Sequence, residues 1–170
     1  SIWKYDTLYR LMEKSDFFEP KVVISPYNVH LIYDKNECLS VMQKAISFAE
    51  EKGYDYLCAY DFNNKKWLNV KKILNPDIVF FSKPYKDTLP KYHIYNFQDK
   101  LTLYVPYGFT CIDIYRINYN LPFHNFLWKF LVETEFQKEY SEQYSLCKGD
   151  NVKVIGCLAV ENLMDDAFKP

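Results

Sequence analysis

The side chains able to do chemistry are few and far apart. Three histidines are present, His30, His93 and His124. His30 follows an apolar run, Val22-Val23-Ile24, closed by Ser25-Pro26, so it lies just beyond an expected strand end. Imidazole titrates near neutrality, which makes His30 the best acid–base candidate in the chain. His93 sits among Lys91, Tyr92 and Tyr95 on an expected surface turn. His124 falls in the first turn of an expected helix, where burial or capping accounts for it. Ser25, His30 and Asp61 do not make a nucleophile–base–acid set, because nothing supplies an oxyanion site by spacing. The aspartates show no paired metal-ligand spacing. The five cysteines are odd in number and contain no C-x-x-C pair, so they read as reduced, small buried hydrophobes. With only four glycines there is no G-x-G-x-x-G and no G-x-x-x-x-G-K-[ST]. No cofactor and no metal are expected.

These groups can act only where secondary structure gathers them. Residues 21–25, 56–60, 77–81, 101–105 and 152–155 are short apolar runs bounded by proline or glycine, the pattern of strands buried on both faces. Between them lie stretches of helical periodicity, at 37–52 (stopped by Gly53), 65–74, 92–99, a long one at 123–144 opened by Pro122, and 160–168. An amphipathic segment at 2–14 precedes them, and residues 1–19 are taken as a helix and linker ahead of a domain at 20–170. Strand and helix in alternation imply an α/β fold: a three-layer α/β/α, doubly wound, Rossmann-like domain with a five-stranded, mainly parallel sheet, ordered 3-2-1-4-5.

In such a sheet, ligands bind beyond the carboxyl ends of the strands. That rule selects Ser25, Pro26, Tyr27, Asn28 and His30 after the first strand, and Ser82, Lys83, Pro84 and Tyr85 after the third. It selects Pro106, Tyr107, Gly108 and Phe109 after the fourth, and Gly156 and Cys157 after the fifth. Thr134 and Glu135 interrupt the apolar stripe of the long helix (Phe126, Leu127, Phe130, Leu131, Phe136) and either reach a cleft or face water.

The chain has 170 residues, 49% of them hydrophobic and 19% aromatic, enough to bury a substantial core. Its net charge of −1 gives no electrostatic footprint for nucleic acid. No run approaches the about 18 apolar residues of a membrane-spanning helix, and the N-terminus is charged where a signal peptide is apolar. A cytoplasmic protein is expected.

Several segments together resemble one family. Asn75-Pro-Asp-Ile-Val-Phe-Phe-Ser-Lys-Pro-Tyr85 is similar to a strand and its exit in the CDP-glycerol glycerophosphotransferases, the GT-B-type enzymes of bacterial teichoic acid and capsular polymer synthesis. The likeness continues at Leu101-Thr-Leu-Tyr-Val-Pro-Tyr-Gly-Phe109, at Phe130-Leu-Val-Glu-Thr-Glu-Phe136, and at Asn151-Val-Lys-Val-Ile-Gly156 with Asp165 beyond it. The resemblance implies one half of a GT-B architecture, the N-terminal, acceptor-side domain. A saccharide or lipid-linked acceptor would meet a nucleotide-activated donor held by a C-terminal domain outside this chain, and the fragment alone would be inactive. It further implies acceptor contacts from Pro106, Tyr107, Gly108, Phe109, Tyr85 and Glu135, and peripheral contact with the inner face of the cell membrane where the acceptor is lipid-linked. One departure stands out. Where the polymerising enzymes carry Trp-His-Gly, this chain has Pro106-Tyr107-Gly108. A phenol with a pKa of about 10 is a poor base at neutral pH, which leaves His30, or a group from the other domain, as the catalytic base.

The alternative is a non-catalytic α/β module that binds a glycan or a protein. A phosphoacceptor receiver is disfavoured, because Ser25-Pro26 and Ser82-Lys83-Pro84 leave no acidic pocket at the strand ends. A flavin site is disfavoured because the first loop is Pro26-Tyr27-Asn28-Val29, not a Ser/Thr/Gly-rich turn.

Overall fold

The computed structural model describes residues 3–27, 34–106 and 114–158. It is a mixed α/β structure whose largest sheet has four parallel strands, an arrangement compatible with a Rossmann-like fold. The sheet runs β5 (Ile78–Phe81), β6 (Leu101–Tyr104), β7 (Lys129–Val132), β8 (Val152–Val154) in spatial order. A separate parallel pair is formed by β1 (Val22–Ile24) and β2 (Tyr56–Cys58), and a short antiparallel pair by β3 (Tyr60–Asp61) and β4 (Lys66–Trp67). The helices are α1 (Asp6–Glu13), α2 (Lys35–Glu51), α3 (Val70–Leu74), α4 (Tyr115–Tyr119), α5 (Pro122–Asn125) and α6 (Glu135–Tyr144).

Each element has a local cause. Asp34 caps α2, its carboxylate accepting the backbone N–H groups of Asn36 and Glu37. Asn69 caps α3 through the N–H of Lys72, and Asn75 closes it in the left-handed conformation. Thr134 and Gln137 form a reciprocal capping box at the start of α6. Gly149, at φ +75°, lies against Glu142, where a Cβ would clash with its side chain at 2.6 Å.

The structure corrects the long helix at 123–144. The segment is α5, then strand β7, then α6. Phe126, Leu127, Phe130 and Leu131 imitate a helical stripe, yet Phe130 and Val132 are buried while Lys129 and Leu131 are not, which is the period of two of a strand. Tertiary pairing decides the outcome: Leu103 and Tyr104 of β6 face Lys129 and Phe130, and Phe130 to Val132 pair with β8. The order 3-2-1-4-5 is corrected as well. The strand at Ile78–Phe81 pairs with the one at Leu101–Tyr104, and Val22–Ile24 pairs with Tyr56–Cys58, so among the described residues the parallel strands number six and do not form one hydrogen-bonded sheet of five. The helix expected at 65–74 is a hairpin strand followed by α3, and that at 92–99 is a pair of 3-10 turns at Pro90–Tyr92 and Ile94–Phe97. Val23, expected to be buried, is exposed on β1.

Two principal apolar clusters follow the two parallel sheets. One gathers Ile94, Tyr104, Phe123, Phe130, Val132 and Val152 about the four-stranded sheet. The other gathers Tyr9, Ile24, Cys38, Met42, Ala49 and Tyr54 between α1, α2 and the β1–β2 pair. Residues at the N-terminus bridge them. The Tyr5 hydroxyl donates to the Phe81 carbonyl at 2.8 Å and accepts the N–H of Val105 at 3.3 Å. The Lys4 ammonium donates to the Ser82 carbonyl at 3.0 Å and to the Val105 carbonyl.

Candidate functional site

Between β1 and β5 no backbone hydrogen bonds form, and the two strands face a common gap. Val23, Val79, Phe80 and Ser82 line cavities that open at both ends of it. At one end lie the residues that leave both strands, Ser25, Pro26 and Tyr27 after β1 and Ser82 to Thr88 after β5. At the other lie those that lead into them, Lys21 and Asn75 to Asp77. The two strands therefore run in the same sense. From β1 the chain proceeds through α2 to β2 on one side; from β5 it proceeds to β6, β7 and β8 on the other. The gap is the point where the strand order reverses, the position at which open α/β sheets bind their ligands.

The cavity at the carboxyl ends has a volume of about 580 Å³. That suits a small organic ligand. Its wall is apolar, with Ile24 of β1, Met42 and Ala45 of α2, Phe81 of β5 and Phe123 of α5. Polar and charged groups gather on the segment after β5. Lys83 Nζ lies 3.4 Å from Asp87 Oδ2 and 4.3 Å from the centre of the Tyr27 ring, a cation held by a carboxylate and an aromatic face from opposite sides of the gap. Lys86 Nζ lies 4.9 Å over the Tyr95 ring. His93 Nε2 is 3.0 Å from the Thr88 carbonyl. The Thr88 hydroxyl is buried and has no hydrogen-bond partner among the described residues. A buried hydroxyl without a partner is costly, and this one belongs to a residue of the cavity wall. Tyrosine faces stack on the apolar C–H faces of sugars, and Lys83 and Lys86 can offset negative charge.

Of the residues singled out from sequence, Tyr85 lines this cavity and is 42% exposed. Pro106 follows β6 at the neighbouring strand tip and is half-buried. Glu135 opens α6 just past the tip of β7; it is exposed, reaches Lys138 at 3.8 Å and does not line the cavity. His30, Tyr107, Gly108 and Phe109 lie outside the described residues. His124 is a core group. It is 3% exposed, stacks on Phe130 at 4.8 Å, accepts the Leu121 N–H at Nδ1, and burial pulls its pKa down to about 4.

Sequence reasoning passed over Thr88, Glu133 and Lys4, and placed His93 on a surface turn. Thr88 and His93 come into the cavity because the 3-10 turns fold the segment after β5 back over it. Glu133 is buried at the tip of β7, within reach of Gln137 Nε2 at 3.4 Å; reading 129–132 as a strand would have placed it there. Lys4 spans the tips of β5 and β6 from far away in sequence, and burial pulls its pKa down to about 7. Only the long-range fold reveals that position. No cluster of metal-ligating side chains exists among the described residues, and no described helix is long and apolar enough to cross a membrane. Comparison with protein-family models, with curated proteins and with solved structures finds no match to the chain.

Proposed function

We propose that the chain is the acceptor-side domain of a GT-B-type transferase, resembling the CDP-glycerol glycerophosphotransferases, and that the cavity at the β1–β5 switch holds the acceptor. The observation that carries this reading is the gathering, at that switch, of an apolar wall, the aromatic ring of Tyr85 and the cations Lys83 and Lys86. The Asn75 to Tyr85 motif, on which the resemblance partly rests, supplies β5 and the start of this lining. The four parallel strands are compatible with one half of such an enzyme. The glycine-poor composition supports a division of labour in which a second domain grips the nucleotide of the donor.

In this scheme the acceptor lies across the strand tips with a sugar or glycerol unit on Tyr85 and any phosphate beside Lys83 and Lys86. Tyr107, Gly108 and Phe109, to which the resemblance gives acceptor contacts, come directly after Pro106 in the sequence. Proton removal from the attacking hydroxyl falls to His30 or to a group of the donor domain, since Tyr107 stands where the related enzymes place histidine. The test is transfer from CDP-glycerol to a lipid-linked acceptor by the full-length protein that carries this domain. Tyr85→Ala is expected to raise the acceptor KM about tenfold, with the donor KM unchanged. Absence of turnover with CDP-glycerol and with nucleotide sugars alike, or an effect of Tyr85→Ala on the donor alone, would overturn the reading.

A further inference from the structure

The opposite end of the β1–β5 gap opens into a groove of about 870 Å³ between α1, residues 16–20, α3 and the leading ends of both strands. Leu8 and Met12 of α1 help form its apolar floor. Its rim carries large side chains that water should not favour: Phe17 is 91% exposed, Ile73 54% and Phe18 43%. Apolar side chains so exposed and so close together mark an interaction surface.

The charge around the groove is one-sided. Asp16, Glu19 and Asp77 line it, are exposed, and have no ion-pair partner among the described residues. The two lysines that line it are already engaged: Lys21 pairs with Asp55 at 2.9 Å, and Lys71 pairs with Asp99 while donating to the Asn96 carbonyl at 2.6 Å. Lys14 and Lys72 follow α1 and sit on α3 respectively, and neither lines the groove. We infer that this groove docks a basic amphipathic segment of a protein partner. Its apolar face would cover Phe17, Phe18 and Ile73, and its Lys or Arg side chains would meet Asp16, Glu19 and Asp77. An anionic lipid surface would approach the same carboxylates as like charge, so the charge selects a peptide over a membrane. The groove shares Val23, Val79, Phe80 and Ser82 with the cavity but opens at the other ends of the strands, and the inference does not depend on the transferase reading.

The test uses the 170-residue chain and two synthetic peptides sharing leucines at helical spacing, one with lysine and one with glutamate at the remaining positions. The Leu/Lys peptide is expected to bind and to protect amides in α1, residues 16–20 and α3 from hydrogen exchange. Neutralising the rim with Asp16→Asn, Glu19→Gln and Asp77→Asn together should weaken it about tenfold, since each exposed pair contributes about twofold. Phe17→Ser, at a fully solvated position that leaves the core intact, should weaken both charge forms of the complex by the loss of apolar contact. Failure of the Leu/Lys peptide to bind, equal binding of the Leu/Glu peptide, protection elsewhere, or preferential binding to phosphatidylglycerol vesicles would each overturn the proposal.

Discussion

His124 shows how burial fixes the role of a side chain. Its ring lies at 14° to that of Phe130 and its Nδ1 accepts a backbone N–H, so the folded protein holds it neutral. Folded, its pKa is about 4; unfolded, it returns to about 6.5. The unfolded state therefore binds the proton first. Stability from this group is complete above pH 6.5 and declines as the pH falls toward 4, by a total on the order of 3 kcal/mol. The urea midpoint should drop between pH 6.5 and 5, above the range in which ordinary carboxylates titrate. His124→Asn, which keeps an acceptor for the Leu121 N–H, should be less stable at pH 7 but lose most of that slope. An unchanged slope would show that His124 is not the titrating group. The sequence placed His124 in a first helical turn with burial as one explanation, and that much was legible; its stacking partner was not, because Phe130 sits on a strand that the apolar stripe disguised.

At the scale of elements, β7 is the instructive case. A helix over 123–144 would put Phe126 and Phe130 on one face, and truncating either would cost a similar amount. The strand separates them: Phe130 is 2% exposed and Phe126 44%. Phe130→Ala should cost about 3–5 kcal/mol in equilibrium unfolding, as for large core aromatics. Phe126→Ala, which loses an exposed edge contact with Tyr95 at 5.0 Å, should cost less than about 1 kcal/mol. Equal losses would return the segment to a helix. Strands β1, β2, β5, β6 and β8 were readable because each is a short apolar run between breakers. The strand β7 was not, because Lys129 at its start and Glu133 at its end leave a run whose alternation is too brief to outweigh the flanking helical pattern.

Across the molecule, the rule that ligands gather at strand tips selects Ser25, Tyr27, Ser82, Lys83 and Tyr85 from sequence, and the structure brings these residues around one cavity. What sequence could not supply was strand order, which depends on pairings between distant segments. The expected order put the third strand outside the second. The observed order sets β5 across a gap from β1 and so moves the switch to the place where those two exits meet. Thr88 and His93 join the site through the 3-10 turns that follow β5, where the sequence pattern suggested a helix. The N-terminal residues Lys4 and Tyr5 lock the tips of β5 and β6 in place through three carbonyl acceptors and one amide donor. The most direct test of the account is an NMR titration of the chain with a glycerol phosphate oligomer and, separately, with CDP-glycerol. The account predicts amide shifts at Ser25, Tyr27 and the non-proline residues of 82–88 with the oligomer and no saturable shifts with the nucleotide. Saturable binding of CDP-glycerol at those residues, or no response to the oligomer there, would contradict it.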